Sequence, residues 1–184
     1  MGLIISYGAR VNGPLCDDSN PVPVLLAAAG SGNPAVVNEI LKYYPDVNAR
    51  GPNGQTALSL FLERGLHREK APEIVASLVT AGADVNVRGG YNDETPIFHI
   101  CEFPQLVPVL VKAGADVNAQ NDLGGTPLGA CSEHDYLKAL IAAGADVSHR
   151  DHAGRTAADW ARQAGDEETA RFLDAAGKAK RRVQ

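Results

Sequence analysis

Two short strings of residues recur along the chain in a fixed order, so the fold has to be built from repeated units. The first string, Asp46-Val47-Asn48, returns at residues 84–86, 116–118 and, as Asp-Val-Ser, 146–148, at intervals of 38, 32 and 30 residues. Each copy precedes a second string in which Thr is followed by Pro or Ala, at residues 56–57, 95–96, 126–127 and 156–157. A period of this length is the signature of proteins made of stacked repeats.

Each unit also carries the signals of two helices. Thr suits a helix N-cap, and Pro suits the first helical position, where no N–H is needed. Apolar pairs four residues apart, such as Leu106-Val107 with Leu110-Val111, then form the buried stripe of a second helix. Gly82, Gly114 and Gly144 stand where a helix ends in positive φ.

In this register the units resemble the ankyrin motif, in which a β-hairpin finger is followed by two antiparallel helices. The resemblance implies an all-α ankyrin-repeat solenoid of antiparallel helix pairs with short β-hairpin fingers. Residues 1–21 are predicted to be an N-terminal half-repeat and irregular linker, 22–177 the repeat domain and 178–184 a frayed basic tail. We expect units to begin near residues 22, 51, 90, 121 and 151, the last being a polar capping repeat.

One departure from the motif is systematic. The His that usually follows Thr-Pro-Leu is absent, and its slot holds Leu26, Ser59, Phe98, Gly129 and Asp159. The polar link that this His makes between helix and finger in the family is therefore expected to be missing.

Composition excludes several classes of function. The net charge of −5 provides no basic field for nucleic acid, and no apolar run approaches the roughly 20 residues that cross a bilayer. Cys16, Cys101 and Cys131 form neither a disulfide framework nor a metal pair. We predict inert buried thiols at Cys101 and Cys131, a reducing compartment and a cytoplasmic location.

The chain offers little that points to catalysis or to a cofactor. His149, Asp151 and His152 are close in sequence, but Asp151 has a turn role and Arg150 would repel a cation, so we predict no metal site. The N-terminal Met1-Gly2 fits the loose N-myristoylation pattern, but we expect Leu3 to Ile5 to pack on the first repeat instead. We predict no catalytic residues and no cofactor.

The resemblance implies that a protein partner docks on the finger tips and the exposed side of the first helices. Arg50, Arg88 and Arg150 share one finger slot, which suggests an arginine column for carboxylates of an acidic partner; solvated loop arginines are the alternative. The predicted partner-binding residues are Arg50, Asn53, Gln55, Arg88, Tyr91, Asn92, Glu94, Gln120, Asp122, Leu123, Arg150, His152, Arg155 and Trp160.

The predicted function is that of a non-catalytic scaffold or adaptor that is monomeric and binds a protein partner, with no nucleic acid or membrane among its partners. Two alternatives stay open. One is a stoichiometric inhibitor or immunity-type protein that covers the active site of an enzyme or toxin. The other is a regulatory fragment of a larger multidomain enzyme.

Overall fold

A computed structural model describes residues 23–64, 68–89 and 92–181. The chain divides into two compact units, residues 1–91 and 92–184, which are called here the N-terminal and C-terminal units. Four features of the sequence lie outside the described residues: the N-terminal half-repeat, the lipidation motif at Gly2, the thiol of Cys16 and the ring of Tyr91.

The described part of the N-terminal unit contains two helix pairs. Helices α1 (Val24–Gly30) and α2 (Pro34–Leu41) form the first pair, and α3 (Ala57–Arg64) and α4 (Ala71–Thr80) form the second. A 3-10 turn, Arg68–Lys70, lies between α3 and α4, in the longer connection of this repeat. Helix α1 packs against α2 and α3, and the apolar side chains facing these contacts are buried.

The C-terminal unit contains α5 (Val107–Lys112), α6 (His134–Ala142), α7 (Ala157–Gln163) and α8 (Glu167–Arg181). Among its described residues there are also three 3-10 turns, Pro96–His99, Pro104–Leu106 and Pro127–Gly129. Here the core is built around α6, and the hydroxyl of fully buried Tyr136 donates to the carbonyl of Ile97 at 2.6 Å.

The Asp-Val-Asn string has a structural job in each junction between repeats. The Asp carboxylate accepts from the backbone N–H two residues later, at 3.1 Å for Asp46 and 2.8 Å for Asp116. The Asn side chain reaches the next junction, because Asn48 Oδ1 accepts from the N–H of Asp84 at 2.7 Å. Asn118 does the same for Asp146 at 2.8 Å. The string therefore recurs because it links one repeat to the next.

The predicted glycine helix ends are confirmed. Gly82, Gly114 and Gly144 have φ of 93°, 97° and 102°, a region that favours glycine. In the first repeat the same position holds Tyr44, with φ of 51° and 90% of its surface exposed.

The first helices of the third and fourth repeats differ from expectation. Instead of α-helices they are the single 3-10 turns that begin at Pro96 and Pro127. In the third repeat Pro104 disfavours α geometry in the residue before it, and in the fourth Gly129 is a poor helix former. Among the described residues the fingers are tight turns, closed for example by Gly51 N–H donating to the Gln55 carbonyl at 2.8 Å. The β-hairpin form of the fingers is not confirmed.

The predicted state of two cysteines is wrong. Cys101 and Cys131 are joined by a disulfide, and both are partly exposed rather than buried thiols. They occupy the same slot of consecutive repeats, 30 residues apart, and stacking brings their Cα atoms to 6.2 Å. This separation lies inside the range that a disulfide spans without backbone movement.

The last repeat ends in the longest described helix. Helix α8 continues through Lys178 to Arg181, so the first part of the predicted basic tail is helical. The outward side chains Glu167, Glu168 and Arg171 are exposed, while Thr169 is buried.

Candidate partner-binding site

The described C-terminal unit has a pocket of about 190 Å³ between its fingers and its first-helix segments. Phe98, Ala130, Ala157 and Trp160 contribute apolar walls, and Leu123, 50% exposed, stands among the lining residues on a finger. Polar groups of Glu94, His149, Asp151 and Arg155 complete the lining.

Gly129 opens this pocket. Its position is the vacant His slot of the fourth repeat, and in the two preceding repeats the slot is filled by the buried side chains of Ser59 and Phe98. A Cβ placed on Gly129 would lie 3.8 Å from Trp160 Cδ1 and 3.8 Å from Ala157 Cα, which is ordinary contact. The space is therefore free because the residue has no side chain, and the surroundings would accept one.

Asp151 organises one wall. Its Oδ1 accepts from the backbone N–H groups of Ala153 and Arg155 at 2.9 and 2.8 Å, and its Oδ2 accepts from Arg155 Nε at 3.0 Å and Trp160 Nε1 at 2.9 Å. Burial opposes ionisation, but these hydrogen bonds outweigh it and hold the pKa of Asp151 below its ordinary value. The carboxylate therefore fixes both the finger and the indole.

Arg155 is held on several sides. Its guanidinium carbon lies 3.7 Å from the centroid of the Trp160 ring, in cation–π geometry. Its Nη1 donates to Gln163 Oε1 at 3.2 Å, and its Nε pairs with Asp151. The charge of Arg155 is thus compensated by Asp151 within the wall.

Glu94 forms the polar end of the lining. Its Oε1 accepts from the side-chain amides of Asn121 at 3.1 Å and Asn92 at 3.4 Å. His99 Nε2 lies 3.6 Å from Oε2, and the Glu94 side chain is only 20% exposed. In the described chain the side chains that donate hydrogen bonds to this carboxylate are the two neutral amides, and His99 Nε2 is too distant to do so.

The histidines of the fifth finger serve the fold. His149 Nε2 lies 2.8 Å from the carbonyl of Gly124, and the ring of His152 covers Gly124 so closely that a Cβ there would be 2.6 Å from the ring carbon Cδ2. The described residues contain no group of three His, Cys, Asp or Glu side chains placed to hold a metal ion.

The three arginines of the shared finger slot are exposed, and two of them also bond to the backbone of their own finger. Arg50 Nη1 donates to the carbonyl of Gly54 at 2.8 Å, and Arg150 Nη1 makes the equivalent bond to Gly154. Arg50 and Arg88 are exposed in the N-terminal unit and Arg150 in the C-terminal unit, where it lines a separate cavity with Asp159 and Asp174.

The structure brings five of the predicted partner-binding residues to the pocket: Asn92, Glu94, Leu123, Arg155 and Trp160. Asn53, Gln120, Asp122 and His152 are exposed on fingers outside it, and Gln55 is half-buried in a finger of the N-terminal unit.

Sequence reasoning missed Asp151, His149 and Asn121 as lining residues, and it treated Gly129 only as a departure from the motif. The signal for the pocket was present, because a glycine in a slot otherwise filled by a side chain indicates missing volume.

Comparisons with known proteins agree with this architecture. A family profile for ankyrin repeats, in three copies, matches residues 24–121, 67–151 and 101–181. Comparison with curated proteins gives no match. No described helix is long and apolar enough to cross a membrane. Ankyrin repeats are generally modules for protein–protein interaction and are typically non-catalytic. Since the matches span most of the chain in the register of its two strings, the chain belongs to the ankyrin-repeat family.

Proposed function

We propose that the chain is a non-catalytic scaffold or adaptor whose protein partner docks on the finger and first-helix surface of the C-terminal unit. The observation that carries this proposal is the Gly129 pocket, an apolar concavity beside Leu123, Arg155 and Trp160. Trp and Arg side chains in a well-packed pocket are enriched among the anchors of protein interfaces. Asp151 holds Arg155 and Trp160 in place, which lowers the ordering cost of binding.

A matched pair of variants tests the proposal. Leu123 and Tyr44 are both exposed apolar side chains, 50% and 90% respectively, but only Leu123 lies on the proposed surface. Proteins captured from the native host by the wild type, Leu123→Glu and Tyr44→Glu should be compared by quantitative mass spectrometry. The proposal is supported if Tyr44→Glu captures a partner in the same amount as the wild type and Leu123→Glu captures at least tenfold less of it. Equal capture by all three proteins refutes it.

We propose further contacts for acidic parts of the partner, at Arg50 and Arg88 in the N-terminal unit and at Arg150 in the C-terminal unit. The finger bonds of Arg50 and Arg150 use Nη1, so other guanidinium N–H groups of these side chains can donate to a carboxylate. Replacement of all three by Glu should abolish binding and leave the thermal transition nearly unchanged, with the triple Gln variant as the charge-neutral control. Unaltered affinity would identify them as solvated turn residues.

The two narrower alternatives make distinct demands. An inhibitor or immunity-type protein should capture one enzyme or toxin in a tight stoichiometric complex and suppress its activity, whereas an adaptor should leave activity unchanged. A regulatory segment of a larger enzyme requires the native reading frame to encode a catalytic domain as well, which sequencing of the gene decides.

Monomeric state and a cytoplasmic location are further parts of the proposal. The Cys101–Cys131 disulfide would be unusual at this location, since cytosolic thiols are ordinarily kept reduced. Alkylation of the protein in intact cells, followed by mass spectrometry, reports whether these cysteines are oxidised there. Light scattering of the purified chain reports its oligomeric state.

A further inference from the structure

The size of the Gly129 pocket suits a single side chain. Its volume of about 190 Å³ is below the roughly 300–1,000 Å³ of typical small-molecule and cofactor sites. Its walls are the rings of Phe98 and Trp160 and the small side chains of Ala130 and Ala157. A long unbranched stem can lie along such walls and exclude water from them.

Of the two acidic residues in the lining, one has a cationic partner and the other does not. Asp151 is paired with Arg155, so this wall is close to neutral. The carboxylate of Glu94 accepts hydrogen bonds from the amides of Asn92 and Asn121, and no Lys or Arg of the described chain pairs with it. The pocket therefore carries a negative charge at the Glu94 end that no Lys or Arg of the described chain compensates.

A buried neighbour responds to the same charge. Burial, and in second place the negative charge of Glu94, raise the pKa of the Tyr136 hydroxyl far above its ordinary value.

We propose that the Gly129 pocket binds a lysine or arginine side chain of the partner, with the aliphatic stem against Phe98 and Trp160 and the cationic end at Glu94. This inference rests on the proposed function and adds the chemistry of the anchor. It is compatible with an acidic region elsewhere on the partner, because the arginine slot residues lie outside this pocket.

Other occupants satisfy the lining less well. A carboxylate would meet two acidic residues, and the one nearby guanidinium is already engaged by Asp151 and Gln163. A purely apolar side chain would cover the walls but remove water from Glu94 without supplying a charge in return, which is unfavourable.

Trp160 provides the assay, since it is the single tryptophan of the chain and lines the pocket. Its fluorescence should be titrated with acetyl-Ala-Ala-Xaa-Ala-Ala-amide peptides in which Xaa is lysine, arginine, norleucine or glutamate. Norleucine keeps the lysine stem and lacks the charge. We expect the basic peptides to bind with Kd on the order of 1 mM, at least tenfold tighter than norleucine, and glutamate to give no response.

Three variants separate the two parts of the proposal. Glu94→Gln should reduce the affinity for the basic peptides to that for the norleucine peptide. Glu168→Gln, which removes an exposed charge of the same unit outside the pocket, should leave their binding unchanged. Gly129→Leu should fill the pocket and abolish binding of every peptide. If circular dichroism shows that Gly129→Leu does not fold, Gly129→Ala replaces it. The alanine Cβ meets only ordinary contacts, so this variant should fold. Because its methyl group takes up part of the pocket, it should weaken binding at least threefold.

Two results overturn the proposal: norleucine or glutamate binding as tightly as lysine, or no response of Trp160 to lysine and arginine peptides. The proposed function stands or falls separately. If the basic peptides fail while Leu123→Glu still loses its captured partner, the surface is correct and the basic anchor is wrong. If both tests fail, the surface itself is wrong.

Discussion

Reduction of the Cys101–Cys131 disulfide is expected to destabilise the C-terminal unit strongly. The bond joins the segments that directly follow the 3-10 turns Pro96–His99 and Pro127–Gly129, where the third and fourth repeats lack full first helices. These segments contribute few helical backbone bonds, so the covalent link between them replaces stability that longer helices would give. The double variant Cys101→Ser/Cys131→Ser mimics the reduced state permanently.

The magnitude follows from the length of chain that the bond closes. The two cysteines are 30 residues apart. Closing a loop of this length removes about 12 cal/mol/K of entropy from the unfolded chain, or about 3.6 kcal/mol at 25 °C. With a urea dependence of about 2 kcal/mol per molar, the unfolding midpoint should move by roughly 2 M.

Urea unfolding followed by Trp160 fluorescence measures this effect, because Trp160 lies in the same unit as the disulfide. The oxidised wild type should unfold at a higher urea concentration than the dithiothreitol-treated protein. The double Ser variant should have the midpoint of the treated protein, and dithiothreitol should not change it. Identical midpoints for oxidised and reduced wild type would refute the reasoning. So would a mass spectrum of the oxidised protein with both thiols free.

Three further outcomes follow from single features of the fold. Thr156→Ala removes the hydroxyl that accepts from the N–H of Asp159 and should lower the free energy of unfolding by about 1 kcal/mol in urea titrations; an unchanged midpoint would argue against the cap. Tyr44→Gly relieves a left-handed backbone and should raise that free energy by about 0.5 kcal/mol, net of the added chain entropy; a lower value would show that the ring contributes contacts. Hydrogen bonds from Thr156 and Thr169 lower the pKa values of Asp159 and Asp166. The two carboxylates therefore add to the free energy of unfolding above about pH 4, and this contribution is lost as pH falls through the lowered pKa values. Thermal melts between about pH 6 and pH 2.5 should show this loss, and Asp159→Asn should reduce it.

The features that the sequence predicted are those that depend on local chemistry repeated in register. Gly82, Gly114 and Gly144 take positive φ because each ends a helix, and the same residue type stands at the same place in three repeats. Such a role is visible in sequence because the local backbone alone decides which residue fits there.

The features that sequence reasoning missed depend on contacts between repeats. The disulfide required knowing that the slots of Cys101 and Cys131 stack with Cα atoms 6.2 Å apart. The pocket required knowing that the empty slot of Gly129 faces Trp160, and that Asp151 orients that indole. A single sequence shows the vacant slot but does not show which neighbours surround it.

Docking of a protein partner on the finger and first-helix surface of the C-terminal unit can be tested by amide hydrogen exchange of the purified complex with its captured partner. We expect slowed exchange in the fingers around Leu123 and His152 and in the segments Pro127–Gly129 and Ala157–Gln163, with little change in His134–Ala142. Protection concentrated on His134–Ala142, with the fingers unchanged, would contradict it.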